Sequence, residues 1–143
     1  MSTTTPTPLE VGAQLPSWEL PVTPTLIVST AIATRDFQDV HHDRDLAVER
    51  GSKDIFLNIL TTTGLVQRYV TDQVGHDVLV RNIAIRLGAP AYPYDTLTFT
   101  GSVSQEVEAD GERRYVVDVR GSNALGDHVT GKVTVARAEE ATR

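Results

Sequence analysis

The sequence predicts an α+β domain in which an antiparallel sheet wraps around one long central helix. The stretch Asp54–Asp72 is apolar on nearly every face of a helix, which is typical of a helix buried in a core. From Val78 onward the apolar residues recur with a period of two, which indicates strands. The pair Asp110-Gly111 between two such strands indicates a hairpin, so consecutive strands are expected to run antiparallel.

Four segments of the second half are predicted to be strands of this sheet. Their apolar residues alternate with polar ones, and turn-forming glycine, proline, asparagine or aspartate separates them. The segments are Val78–Leu87, Thr96–Glu108, Tyr115–Ser122 and Val129–Ala136. Gly101, inside the second of them, is predicted to mark a bulge or a kink.

The first half of the chain predicts shorter elements. Gln14–Pro21 alternates loosely and indicates a short strand. Thr23-Pro24 matches an N-cap followed by proline at the first helical position, so we expect a short helix there, although the β-branched residues that follow favour a strand. Asp43 is expected to cap a second short helix, Arg44–Arg50, which Gly51 would end.

The length of 143 residues suits one domain with one core. We expect this domain to span residues 13–137. Residues 1–12 are rich in threonine and proline and are predicted to form a disordered tail, and residues 138–143 a charged one.

Composition narrows the possible partners and the cellular location. The net charge is −6 and there is no basic run, so nucleic acid and anionic membranes are not expected partners. No apolar stretch approaches the roughly 20 residues of a membrane span. The chain has no cysteine and no signal-peptide pattern, which together predict a cytoplasmic location.

The densest group of reactive side chains lies in Arg35–Asp43, which reads RDFQDVHHD. An aspartate and a histidine close in sequence can form an acid–base pair if the backbone turns between them. The start of a long helix would add free N–H groups and a positive dipole end beside such a pair. From the residues alone, a polar loop that caps the next helix explains the cluster equally well.

The histidines do not predict a metal site. His41, His42 and Asp43 are neighbours in an extended loop, so adjacent side chains point apart, and no further ligand cluster with suitable spacing exists. His76 and His128 are expected at the surface.

Two blocks of sequence resemble the MaoC-like hydratases of the hot-dog fold. Their first signature is roughly G-D-x-N-P-[LIV]-H-x-D, and R-D-F-Q-D-V-H-H-D aligns with it without gaps. The second block, Ala89–Leu97 (APAYPYDTL), is similar to the family's P-V-x-P-G-D-T-L turn into a strand. The resemblance covers Leu15–Ala136 and implies a single hot-dog domain.

The resemblance also implies roles for particular residues. Asp36 and His41 take the places of the catalytic aspartate and histidine, and Gln38 takes that of the asparagine. Asn58 and Ile59 match a His-Gly pair at the start of the central helix, whose glycine N–H forms the oxyanion hole. The implied reaction adds water to a 2-enoyl-CoA thioester without a metal or cofactor, because CoA is part of the substrate.

Three positions depart from the family pattern. Arg35 stands where glycine is usual, and Asp39 stands where proline is usual, so the loop backbone is expected to differ. Ile59 stands where the oxyanion-hole glycine is usual and is expected to crowd the acyl pocket.

Four longer strings resemble one group of small subunits within this family, which acts in actinobacterial steroid side-chain degradation. The strings are DFQDVHHDRD, GSKDIF, TGLVQRYVTD and LGDHVT. The resemblance implies a steroid enoyl-CoA as substrate and a larger MaoC-like hydratase subunit as partner, in an α2β2 assembly. A non-catalytic hot-dog subunit that completes a partner's acyl-CoA tunnel, an acyl-CoA thioesterase and a homodimer stay open as alternatives.

Overall fold

Five antiparallel strands pack around one long helix in the computed structural model of the protein, which describes residues 5–138. The strands lie in the order β1-β3-β4-β5-β2, and the long helix α3 contacts all five. The strands are β1 (Gln14–Pro21), β2 (Val78–Leu87), β3 (Thr96–Ala109), β4 (Glu112–Asn123) and β5 (Gly126–Arg137). The helices are α1 (Pro24–Ala33), α2 (Arg44–Glu49) and α3 (Ile59–Val74), with a 3₁₀ turn at Asp39–His41. The predicted α+β hot-dog architecture is confirmed.

The predicted strands are all present, but β4 and β5 begin three residues earlier than expected. Asp110 and Gly111 both have positive φ, 54° and 73°, so the turn between β3 and β4 is tight and pairing continues to its edge. The alternation of apolar residues does not predict the earlier start of β4, because the first residues of that strand are charged.

Gly101 lies beside a bulge but is not its extra residue. It pairs with Leu15 of β1, and the β1–β3 ladder shifts register between Leu15 and Trp18, so the extra residue is on β1. Gly101 also pairs with Val119 of β4, and the β3–β4 ladder shifts register between Val103 and Gln105. A Cβ at Gly101 would lie 2.8 Å from the Asp118 carbonyl oxygen. Glycine is therefore needed for close packing, because any side chain would push neighbouring groups apart.

The long helix begins later than the apolar run suggests. Residues 54–58 are not helical; α3 starts at Ile59, and Asn58 caps it by accepting a hydrogen bond from the Thr61 N–H at 3.0 Å. The N–H groups of Phe56 and Leu57 instead donate to backbone carbonyls of other segments. The backbone of this extended segment therefore bonds to other parts of the chain, and not within a helix.

One face of α3 is open to solvent, so the expectation of a helix apolar on nearly all faces and buried throughout is wrong. The side chains of Ile59 and Leu60 are 51% and 52% exposed. The buried face comprises Thr61, Thr62, Leu65, Val66, Tyr69, Val70 and Val74. In the chain alone, two large apolar residues at the start of the helix therefore meet water.

The predicted N-terminal tail packs against the domain over its described part. The Thr7 N–H donates to the Gln73 carbonyl at 2.7 Å, and Leu9 is buried in the core. Disorder is therefore not what the structure shows for residues 5–12, because Leu9 supplies an apolar anchor. Residues 1–4 and 139–143 of the two predicted tails lie outside the described residues. Over residues 5–138, no helix has the length and apolar character to cross a membrane.

Candidate active site

The end of α1 fixes the backbone of Asp36. The Arg35 N–H donates to the Ile32 carbonyl at 3.0 Å, and the Asp36 N–H donates to the Ala31 carbonyl at 2.9 Å. Arg35 has a φ of 56°, so these bonds form a Schellman motif with Arg35 in the left-handed conformation. Glycine is favoured there, and arginine adopts the conformation at a cost of about 1–2 kcal/mol. The substitution thus places arginine in a backbone conformation that favours glycine.

His41 is buried, and its ring is held in one orientation. Its Nδ1 lies 2.7 Å from the Phe56 carbonyl oxygen, which only accepts hydrogen bonds. Nδ1 is therefore assigned the hydrogen, and in the neutral ring Nε2 has a free lone pair. The Phe56 ring packs edge-on against the imidazole, with 4.8 Å between the ring centroids. The late start of α3 leaves the Phe56 carbonyl available for this bond.

The free nitrogen of His41 faces the Asp36 carboxylate. Nε2 lies 3.4 Å from Asp36 Oδ2, and the side chains are 8% and 22% exposed, respectively. Two acceptors cannot bond each other directly, and the separation exceeds that of a short hydrogen bond. A water molecule lying to one side would donate to both atoms. A carboxylate and a free imidazole nitrogen at this separation can orient a water and accept its proton.

An ion pair stabilises the loop at the second departure from the family motif. Asp39, at the usual proline position, accepts a hydrogen bond from Arg50 Nη2 at 2.8 Å, and its Oδ1 lies 2.7 Å from Arg50 Nε in the ion pair. The Arg50 guanidinium lowers the pKa of Asp39. Gln38 donates its backbone N–H to Asp36 Oδ1 at 3.4 Å, while its side chain is exposed and lines a shallow cavity of about 350 Å³. Gln38 therefore meets the pair through its backbone.

The first turn of α3 brings free donors near this pair. The Asn58 side chain is 2% exposed and donates to Asp36 Oδ2 at 3.1 Å. Among residues 5–138, the backbone N–H groups of Ile59 and Leu60 meet no acceptor, as expected for the first turn of a helix. The half-exposed Ile59 side chain lies at the surface of the chain and does not fill its core.

Sequence reasoning missed two contributors to the site. Thr34 accepts a hydrogen bond from Asn58 Nδ2 at 2.9 Å and donates to the Thr30 carbonyl at 2.7 Å. Phe56 contributes its main-chain oxygen, which no side-chain motif shows. The available signal was Asn58, a favoured N-cap residue, which indicates that the helix begins after this segment.

His128 is buried, and the expectation that it lies at the surface is wrong, whereas His76 is exposed as expected. The Nδ1–H of His128 donates to the Ala89 carbonyl at 2.7 Å, and its Nε2 accepts from Thr62 Oγ1 at 2.8 Å. Burial lowers the pKa of His128, and the Ala89 carbonyl and the Asp95 carboxylate oppose this only in part. The neutral ring thus joins α3 to the sheet.

We expect the stability of the chain to fall as the pH drops below about 6.5, the usual histidine pKa. In that range the unfolded chain binds a proton at His128 that the folded chain resists, so the free energy of unfolding rises with pH. Urea unfolding at pH 5.5 and 7.5 should show a steeper dependence in the wild type than in His128→Gln. Equal slopes would contradict this assignment, since the two proteins differ only at residue 128.

Among residues 5–138, no group of three or more His, Cys, Asp or Glu side chains is placed to hold a metal ion. The groups of the candidate site are the Asp36–His41 pair and the free N–H donors at the start of α3.

The fold is that of the MaoC-like hot-dog hydratases. A solved structure similar to this chain is the R-hydratase PhaJ1 from Pseudomonas aeruginosa, with a TM-score of 0.79 and 18% identity over 90% of this chain and 82% of that chain. At this identity the similarity establishes the fold alone. No protein-family model matches the chain.

A relative from Mycobacterium tuberculosis places the chain more closely. It is the 3-oxo-4,17-pregnadiene-20-carboxyl-CoA hydratase beta subunit, 60% identical over 126 residues, which are 88% of this chain and 95% of the relative. A chain of the crystallised ChsH1-ChsH2 complex from the same organism is 59% identical, with a TM-score of 0.82 over 90% of this chain and 98% of that one. The chain belongs to the family of this hydratase beta subunit, and the predicted resemblance is confirmed.

Proposed function

We propose that this chain is the catalytic subunit of a heteromeric enoyl-CoA hydratase, which adds water to a 2-enoyl-CoA thioester. One observation carries the proposal: the free Nε2 of buried His41 faces the Asp36 carboxylate at 3.4 Å. Membership of a hydratase family supports the same reaction class.

The proposed reaction begins with a water held by both side chains. His41 Nε2 takes a proton as the water oxygen bonds to Cβ of the substrate. The π electrons of the double bond move toward the thioester, which becomes an enolate. Asp36 orients the water and helps to deliver the same proton from His41 Nε2 to Cα. His41 thereby returns to its neutral form, and the net change is addition of one water.

The N-terminus of α3 is proposed to stabilise the enolate. The thioester oxygen gains negative charge, and the free N–H of Ile59, beside Asn58, is positioned to donate to it. We propose that Gln38 contributes to substrate binding outside the pair. The reaction uses no cofactor, because CoA belongs to the substrate, and a cytoplasmic location is part of the same proposal.

A steroid side-chain enoyl-CoA is the proposed substrate. The supporting relative is named for a pregnadiene carboxyl-CoA, a steroid thioester, and is 60% identical to this chain. A steroid nucleus is bulky, so the acyl site needs more room than a linear chain requires.

A larger MaoC-like hydratase subunit is the proposed partner, in an α2β2 assembly. The similar chain from M. tuberculosis was crystallised as part of a ChsH1-ChsH2 complex. In this chain, β1 and β2 form the two free edges of the sheet, and Ile59 and Leu60 are exposed beside the pair. Open sheet edges and exposed apolar side chains are features that a second subunit would cover.

The proposal is tested with the chain purified together with the proposed larger subunit. We expect hydration of a steroid enoyl-CoA, measured as loss of the enoyl-thioester absorbance, to be faster than that of a linear enoyl-CoA. Release of free CoA without hydration would identify a thioesterase instead. The single carboxylate of α3, the exposed Asp72 near its end, gives no support to that alternative.

A further inference from the structure

We infer that Asn58 is a positioning residue of this site, whose carboxamide holds the Asp36 carboxylate in its reactive orientation while it also caps α3. The inference rests on the proposed hydratase function, and concerns how the pair is held.

The Asn58 carboxamide uses both of its N–H donors and one of the two lone pairs of its oxygen. Its Oδ1 accepts from the Thr61 N–H at 3.0 Å, and its Nδ2 donates to Thr34 Oγ1 at 2.9 Å and to Asp36 Oδ2 at 3.1 Å. A reversed amide would place its NH₂ against the Thr61 N–H and its oxygen against the carboxylate. The orientation is therefore unique, and the side chain is 2% exposed.

Asn58 is the side-chain donor that holds Asp36 without adding a charge. Within residues 5–138, no lysine or arginine forms an ion pair with Asp36. The one ionisable side chain paired with Asp36 there is His41. The backbone nitrogen of Gln38 lies 3.4 Å from Asp36 Oδ1, near the upper limit for a hydrogen bond. A neutral amide fixes the carboxylate and leaves its negative charge available to the water.

The same amide joins three parts of the site. Thr34 ends α1, Asp36 follows two residues later, and Asn58 directly precedes the free N–H of Ile59. Asn58 thus sets the distance between the acid–base pair and the donors proposed to receive the thioester oxygen. Loss of its Nδ2 would free the carboxylate to rotate away from His41.

Two substitutions separate positioning from capping. Serine, aspartate and asparagine are about equally good N-caps, so a residue that only caps would tolerate Asn58→Ser and Asn58→Asp alike. A positioning residue would not, because serine lacks the donor and aspartate sets a second carboxylate against Asp36. We expect kcat to fall about 10–100-fold for Asn58→Ser with KM little changed, and further for Asn58→Asp.

The measurements are made on the complex with the larger subunit. Asp43→Ser is the matched control, because Asp43 caps α2 in the same way, through the Leu46 N–H at 3.0 Å, away from Asp36. In an Asp36→Asn background, Asn58→Ser should cost little more, since the carboxylate that Asn58 holds is already gone. Thermal unfolding of each variant shows whether the cap survives.

Unchanged kcat in both Asn58 variants would overturn the inference, as would an equal loss in the wild-type and Asp36→Asn backgrounds. If Asn58→Ser does not fold, Asn58→Asp and its double variant with Asp36→Asn give the same comparison. Failure of the proposed function looks different: Asp36→Asn and His41→Ala would then keep full activity, or the wild-type complex would hydrate no enoyl-CoA.

Discussion

Replacing His41 with alanine, or Asp36 with asparagine, is expected to lower hydration by the assembled complex by at least about 10²–10⁴-fold, the range that general acid–base groups supply. His41→Ala removes the nitrogen that takes the proton of water. Asp36→Asn keeps the shape of the side chain but replaces the charge that orients the water. Initial rates at saturating enoyl-CoA measure both effects.

His42→Ala is the control for these variants. His42 adjoins His41 in sequence but is exposed, so its loss should leave the rate close to that of the wild type. His41→Ala also leaves the Phe56 carbonyl without its partner, a cost of about 1–3 kcal/mol, so unfolding must be measured alongside activity. Near-full activity in a folded His41 or Asp36 variant would show that the pair is not catalytic.

The chain alone is expected to show no steady hydration of a steroid enoyl-CoA, and addition of the larger subunit should produce it. Ile59 and Leu60 are half-exposed at the start of α3, beside the donors of the proposed oxyanion site. A second hot-dog domain over this surface would exclude water and complete the acyl site. Titrating the larger subunit into the chain, with rate as the readout, measures the requirement.

Two outcomes of that mixing experiment distinguish the alternatives. Full turnover by the chain alone, unchanged by the larger subunit, would favour a homodimer with two identical sites and refute the requirement. Equal turnover when the added chain carries His41→Ala would instead show that this chain only completes a site in its partner. The heteromeric proposal needs activity that depends on both the larger subunit and His41.

Local patterns in the sequence predict most of the fold because most of its elements are specified locally. The caps Thr23 and Asp43 begin α1 and α2 where expected, and Gly51, with a φ of 92°, ends the second. The predicted start of α3 is too early because apolar residues such as Ile55 and Leu57 fit an extended segment as well as a helix. Only the N-cap residue Asn58 marks where the helix begins. A short run of apolar residues does not by itself distinguish a strand from a helix.

The remaining errors concern contacts between distant parts of the chain. His128 is buried because Thr62 and Ala89, far away in sequence, satisfy both ring nitrogens. Leu9 is ordered by a core that forms elsewhere. In the site, the motif places Asp36 and His41 five residues apart, but their separation of 3.4 Å depends on Phe56 and Asn58, which lie outside the motif.

The bond between His41 Nδ1 and the Phe56 carbonyl makes the imidazole a one-sided proton carrier. A ring flip would break this bond, so Nε2 alone can exchange protons with bound water. In a hydratase, the proton that leaves water during addition must return through the same nitrogen during elimination. In the proposed mechanism, hydration and dehydration therefore share one proton route through His41 Nε2, and the concentrations of enoyl and hydroxyacyl thioesters determine the direction of net flux.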